Sequence, residues 1–225
     1  MTTLIAVSPH LDDAVFSVGA MLARHAEAGW RVIVATCFTA SVPDPVGFAL
    51  ACQLDKGLGP EVDYMALRRA EDATACALLG AEAIHLAFPE APHRGYGSAA
   101  ALFAPPHEHD DIADTLAPAL DGLLRRHEPA RILGPAAIGS HVDHLVVRRV
   151  LERLGVGAEL WADLPYAARV GAPAPRRAEP VAELLERKTA ACAAYVSQLG
   201  FQFGGEAGIA RAIQIDGAEL ILAVT

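Results

Sequence analysis

The chain has 225 residues, 53% of them hydrophobic, with 27 acidic against 18 basic residues and a formal charge of −9. That length carries one sizeable core and shows no second one, so residues 1–225 are expected to form a single domain. The acidic balance leaves no electrostatic footprint for a polyanion, which sets nucleic acid aside as a partner.

From the N-terminus, Leu4–Val7 is a short apolar run ending in Ser8-Pro9-His10, and residues 13–28 place apolar side chains at helical spacing. Arg31–Cys37 reads as a second strand. The stretch Tyr64–Leu79 reads as a helix, closed by Gly80 at the position where helices end on glycine, and Ala83–Phe88 as a third strand. Ile112–His127 is predicted helical, Arg131–Gly134 a strand, Asp143–Leu154 a helix and Glu159–Ala162 a strand. The Pro-rich run Gly171–Pro180 is expected to connect to a final helix, Val181–Leu199, before a last strand at Glu219–Val224. Strands and helices in alternation, with near-continuous apolar strands, predict an α/β, Rossmann-like fold: a mostly parallel sheet with helices on both faces.

No glycine-rich phosphate loop follows any predicted strand, so a nucleotide site is disfavoured. Residues 40–62 and 89–111 follow the carboxyl ends of strands two and three, where open α/β sheets bind ligands, and are the expected substrate walls. No apolar stretch approaches the ~18 residues of a membrane span, and the N-terminus lacks a secretory signal. With four widely spaced cysteines, Cys37, Cys52, Cys76 and Cys192, the expectation is a soluble, cytoplasmic protein with reduced thiols. Oligomeric state is not legible.

Chemistry concentrates in two places. His10-Leu11-Asp12-Asp13 follows the first strand, and His141-Val142-Asp143-His144 follows the Arg131–Gly134 strand. Each offers imidazole and carboxylate at the same sheet edge, a donor set that suits zinc. His141 and His144 are three apart and share a face in a first helical turn. One acid before a helix is usually a cap; two His/Asp clusters, each directly after a strand, point to a metal instead. Spacing alone does not distinguish Asp12 from Asp13. Magnesium phosphoryl chemistry fits two histidine-bearing segments poorly. Arg94 and Tyr166 also follow strand ends and are candidate substrate contacts. Trp161 sits in an apolar strand and reads as core, and His107-Glu108-His109 reads as a polar loop.

These two segments resemble the signature motifs of the PIG-L or LmbE-like zinc deacetylases. The family's first motif is His-Pro-Asp-Asp-Glu; here Leu11 replaces the proline and Ala14 the final glutamate. Arg68-Arg69-Ala70-Glu71, the Phe88–Arg94 segment and Tyr195-Val196-Ser197-Gln198 resemble further family segments, so the likeness covers most of the chain. The resemblance implies that His10, Asp13 and His144 ligate one Zn2+ per chain and that Asp12 is the general base. It also implies that His141, as an imidazolium, stabilises the oxyanion or donates a proton, with Asp143 orienting its ring, and that Arg68 contacts the substrate. The implied reaction removes an N-acetyl or other N-acyl group from a small molecule, an amino sugar or its conjugate. The alternatives are a zinc amidase acting on a non-sugar natural-product amide or thiol conjugate, and an idle binding protein of the same fold.

Overall fold

The computed structural model describes residues 1–170, 175–180, 182–205, 207–209, 211 and 218–222. Among these, seven strands form one sheet in the order β3-β2-β1-β4-β5-β7-β6. They are β1 (Thr3–Ser8), β2 (Arg31–Thr36), β3 (Glu82–His85), β4 (Arg131–Pro135), β5 (Glu159–Trp161), β6 (Pro175–Pro180) and β7 (Ala218–Leu222). β1 to β5 run parallel; β7 pairs antiparallel with β5 and with β6.

The alternation of β1 explains the layering. Leu4 and Ala6 enter one core with α1 (Asp13–Glu27), α3 (Tyr64–Leu79) and α8 (Leu185–Ala193), whereas Ile5 and Val7 enter a second core under α5 (Ile112–His127) and α6 (Val142–Leu154). Helices therefore cover both faces, as expected for strands apolar on both sides. Asp63 caps α3 by accepting from the Ala66 N–H at 2.9 Å, and Gly80 ends it with φ 75°.

Within α1, Val18 leaves helical geometry (φ −134°, ψ 21°). The N–H groups of Ala20 and Met21 instead donate to the Glu219 carboxylate at 2.9 and 2.7 Å, and Lys188 pairs with the same carboxylate at 2.6 Å. This buried cluster ties α1, α8 and β7 together.

Two expectations are corrected, and the two wall segments gain structure. The Gly171–Pro180 run is not only a connection: residues 175–180 form β6, an edge strand with prolines at its two ends, where a missing N–H does least harm; residues 171–174 lie outside the described ones. The single helix Val181–Leu199 is a 3-10 turn (Ala182–Leu184), α8 and α9 (Val196–Phe203). Its break falls at Tyr195, whose buried hydroxyl donates to Asp72 at 2.6 Å. Residues 40–62 and 89–111 contain α2 (Gly47–Leu54), a 3-10 turn (Ala91–Arg94) and α4 (Ala99–Leu102). Of the predicted Glu219–Val224 strand, residues 223 and 224 lie outside the described residues. No described helix is long and apolar enough to cross a membrane.

Candidate metal centre

The strand order reverses between β1 and β4, and the loops leaving these adjacent strands carry the two His/Asp segments. This is the crevice where open α/β sheets place ligands.

After β1, Ser8 shapes the turn: its hydroxyl donates to the His10 carbonyl at 2.7 Å and accepts from the Ala14 N–H at 3.1 Å. Asp12 stands before α1 with φ 151° and ψ −36°, a strained conformation for a non-glycine residue, and its side chain caps nothing. The ordinary role of an acid before a helix is thus unfilled, and the carboxylate lines the cavity beside the cluster. After β4, Gly139 (φ 85°) and Ser140 (φ 61°) turn the chain into α6, with His141 at its N-cap. A Cβ at Gly139 would lie 2.9 Å from Tyr166 Cβ, so this turn needs glycine for both conformation and space.

The side chains converge. Asp13 Oδ2 lies 3.1 Å from His10 Nδ1 and 3.2 Å from His144 Nε2. Donor atoms around a four-coordinate zinc with bonds of ~2.0–2.1 Å sit roughly 3.3 Å apart, so this trio has the right spacing. Each histidine is held by its other nitrogen: His10 Nε2 faces Asp143 Oδ2 at 2.9 Å, and His144 Nδ1 faces Asp163 Oδ1 at 2.8 Å. Carboxylates in those places keep the proton on the far nitrogen and leave the near lone pair for a metal. Asp12 Oδ2 and His144 Nε2 are buried without a hydrogen-bond partner, as expected of groups built for something else. The residues fit a zinc ion.

His10, His141 and His144 also place one nitrogen each within 4.8 Å of one another. His141 differs from the other two because its Nδ1 accepts the Asp143 N–H at 3.2 Å and no carboxylate backs its ring. His141 thus stands apart from His10, Asp13 and His144, whose donor atoms lie at the shorter, zinc-like spacing.

Electrostatics follow from burial and crowding. Burial and the adjacent Asp13 charge push the Asp12 carboxyl up to about 8, against the pull of Arg68, whose Nη2 lies 3.6 Å from Asp12 Oδ2. Burial and the neighbouring His10 drive His141 down to about 3. For His144, burial favours the neutral ring, but the Asp13 and Asp163 carboxylates outweigh it and raise the value to about 9.

Two expected roles change. Asp143 meets the His141 ring only through its backbone N–H: its carboxylate takes His10 Nε2, the Ala91 N–H at 3.0 Å and Arg94 Nη1 at 2.8 Å, so the side chain backs His10 instead. Arg94 does not line the cavity. Its guanidinium is taken up by Asp110 at 3.0 and 3.1 Å, by the Pro89 carbonyl at 2.9 Å and by Asp143, which leaves no fork for a ligand.

Arg68 and Tyr166 do line the cavity, a space of about 400 Å³. Arg68 is buried between Glu90 (2.5 Å) and Asp12, and the Tyr166 ring stands edge-on to His144 with centroids 5.3 Å apart. Both predicted substrate walls contribute: Phe48, Cys52 and Lys56 from one, Glu90, Leu102 and Phe103 from the other. The sequence reading missed Asp163, Tyr64 and Gln198; for Asp163 the signal was available, since it follows β5 directly as His10 follows β1.

A Rossmann-like α/β sheet with a His/Asp/His trio at its switch point, and a carboxylate beside it, defines the class: a fold of this kind carrying a candidate metal centre. The chain belongs to the PIG-L family, described as GlcNAc-PI de-N-acetylase, whose model matches residues 5–154. It is 34% identical over 168 residues to 2'-N-acetylparomamine deacetylase of Streptomyces fradiae; the match covers 72% of this chain but only 57% of that relative's length. Among solved structures it resembles the zinc-inhibited form of teicoplanin deacetylase, with TM-score 0.81, 30% identity and coverage of 94% of this chain and 90% of the other. It likewise resembles a deacetylase–teicoplanin complex, with TM-score 0.77, 30% identity and 88% coverage of each.

Proposed function

We propose that this chain is a zinc-dependent N-deacetylase, binding one zinc per chain, that hydrolyses the acetyl amide of an amino sugar within a small-molecule conjugate. The observation that carries the reading is the convergence of His10, Asp13 and His144 at zinc-ligand spacing, next to an Asp12 carboxylate that neither caps a helix nor accepts a hydrogen bond at Oδ2. The family membership and the deacetylase names of the relatives support the acetyl group and the sugar.

An amide carbonyl is a poor electrophile and neutral water a poor nucleophile. Zinc supplies Lewis acidity that activates both. Asp12 takes a proton from the attacking water. The water oxygen bonds to the acyl carbon and the C–N bond breaks. The proton held by Asp12 is then delivered to the departing nitrogen, a task suited to a carboxyl whose surroundings favour the protonated form. His141 acts as a neutral donor, not as the expected imidazolium: its Nδ1 accepts a backbone N–H, so Nε2 carries the proton and can donate to the oxyanion. Burial, before any neighbouring charge, disfavours a further proton on its ring. Arg68 holds Asp12 in place and supports its ionised form before attack. Asp143 and Asp163 fix the ligand histidines.

The free thiols of Cys37, Cys52, Cys76 and Cys192 support a reducing, cytoplasmic setting. The test is a screen of N-acetylated amino sugars and their conjugates with zinc-loaded protein, reading free amine and acetate together. Release is expected; zinc-loaded protein that releases nothing from any of them favours the non-sugar amidase. Substoichiometric zinc after repletion favours the idle binding protein.

A further inference from the structure

Arg94 lines no part of the cavity, yet loops leaving β2, β3 and β4 meet at its guanidinium. It ends the 3-10 turn Ala91–Arg94 that follows β3. Its Nε and Nη2 donate to the two oxygens of Asp110, just before α5, at 3.1 and 3.0 Å. Its Nη1 donates to the Pro89 carbonyl at 2.9 Å and lies 2.8 Å from Asp143 Oδ1, at the start of α6. The guanidinium carbon lies over two aromatic rings, Phe38 after β2 at 5.0 Å from the centroid and Tyr96 at 5.7 Å. Asp110 is fixed in turn, accepting the hydroxyl of the buried Tyr96 at 2.8 Å.

Such a network is a poor source of stability. The side chains of Arg94, Asp110 and Asp143 are 8%, 4% and 1% exposed, and desolvation of buried charges offsets much of their mutual attraction. What the network secures is an angle. Asp143 Oδ2 meets His10 Nε2 at 2.9 Å and accepts the Ala91 N–H at 3.0 Å. Held at Oδ2 alone, the carboxylate can turn about its Cβ–Cγ bond, and the His10 ring can tilt with it. Arg94 on Oδ1 closes that freedom, because its planar fork is locked along the other edge by Asp110. The second ligand ring, His144, is served differently: the far oxygen of Asp163 accepts the Ile138 N–H at 2.9 Å.

We propose that Arg94 and Asp110 form a strut that acts on the metal through Asp143. Arg94 is a positioning residue that sets the orientation of His10 and, with it, the zinc affinity of the centre. The strut also makes the 89–111 segment, one wall of the cavity, part of the support of the ion. This rests on the reading of His10, Asp13 and His144 as zinc ligands.

The experiment measures zinc affinity by chelator competition in the unaltered protein, in Arg94→Lys and in Asp110→Asn, and follows the ring N–H protons of nitrogen-labelled histidine by NMR in the zinc-loaded forms. Lysine keeps a cation beside Asp143 but has no fork to span both carboxylates; asparagine keeps the shape of Asp110 and removes its charge. Each variant is expected to bind zinc at least about fivefold more weakly, somewhat less than the ~10–100-fold cost of losing a partner that touches the ligand itself. Each is expected to shift the Nε2–H resonance of His10 while leaving in place the Nδ1–H resonance of His144, which is assigned as the one that Asp163→Asn abolishes. At saturating zinc, KM for acetate release stays within about twofold of the unaltered value, as for a residue outside the substrate's reach. Metal-free melting temperatures report folding, and the isosteric Asp110→Asn carries the test if Arg94→Lys does not fold. Unaltered zinc affinity in either folded variant, or His10 and His144 resonances that move together, overturns the strut. A raised KM with unaltered zinc affinity overturns it too and makes Arg94 a substrate contact. Unaltered protein that binds no zinc overturns the underlying metal reading instead.

Discussion

Replacing Asp163 by Asn changes almost nothing in shape and reverses one hydrogen bond. Asp163 is buried, with Oδ1 2.8 Å from His144 Nδ1 and Oδ2 accepting the Ile138 N–H at 2.9 Å. An amide can accept from Ile138 only through its oxygen, which turns its NH2 toward His144 Nδ1. The ring must then accept at Nδ1 and carry its proton on Nε2, the lone pair the metal needs. If the amide flips, the Ile138 N–H is orphaned instead. Loss of such a backing carboxylate costs ~10–100-fold in metal affinity, or roughly 1.4–2.8 kcal/mol at 1.4 kcal/mol per tenfold. Competition titration against a chromophoric zinc chelator reads this directly, with the metal-free melting temperature as a check on folding. A folded Asp163→Asn protein with unaltered zinc affinity refutes the backing role.

Asp12→Asn retains zinc and loses turnover by ~10²–10⁴; full activity in the zinc-bound variant removes Asp12 as the base. Zinc affinity rises with pH, because without metal His144 holds its proton up to about 9 and zinc must displace it. Between pH 6 and 8 the apparent affinity climbs about tenfold or more per pH unit by proton linkage, and a flat profile contradicts the raised value. Glu219→Ala strands the buried Lys188 ammonium and the Ala20 and Met21 N–H groups, a loss of ~3–5 kcal/mol in urea unfolding; less than about 1 kcal/mol would mean the cluster is not holding α1 to β7.

The layout of β1, α1, β2, α3 and β4 was legible because apolar spacing and Gly80 are local signals that agree with the tertiary packing. What failed was decided at long range. β6 hides in a Pro-rich run because its pairing partner, β7, lies about forty residues on. The break before α9 is set by Tyr195 reaching Asp72, 123 residues away in sequence. The same division runs through the site. His10, Asp12, Asp13, His141 and His144 share two short segments at adjacent strand ends, so the sequence groups them correctly. Arg94 obeyed the strand-end rule too, but Asp110 and Asp143 occupy its guanidinium, and no local spacing reveals that. Asp143 meets His141 through its N–H, but its carboxylate turns to His10, a ring from the other loop that no local spacing ties to it.

Adding zinc to chelator-stripped protein, with bound metal and acetate release from an N-acetyl amino-sugar conjugate followed together, tests the metal centre most directly. Both are predicted to rise in parallel and level off at one zinc per chain, and both are predicted to be lost in His144→Ala. Undiminished acetate release from the stripped protein, or one tightly bound zinc retained in His144→Ala, would contradict a catalytic ion held by His10, Asp13 and His144.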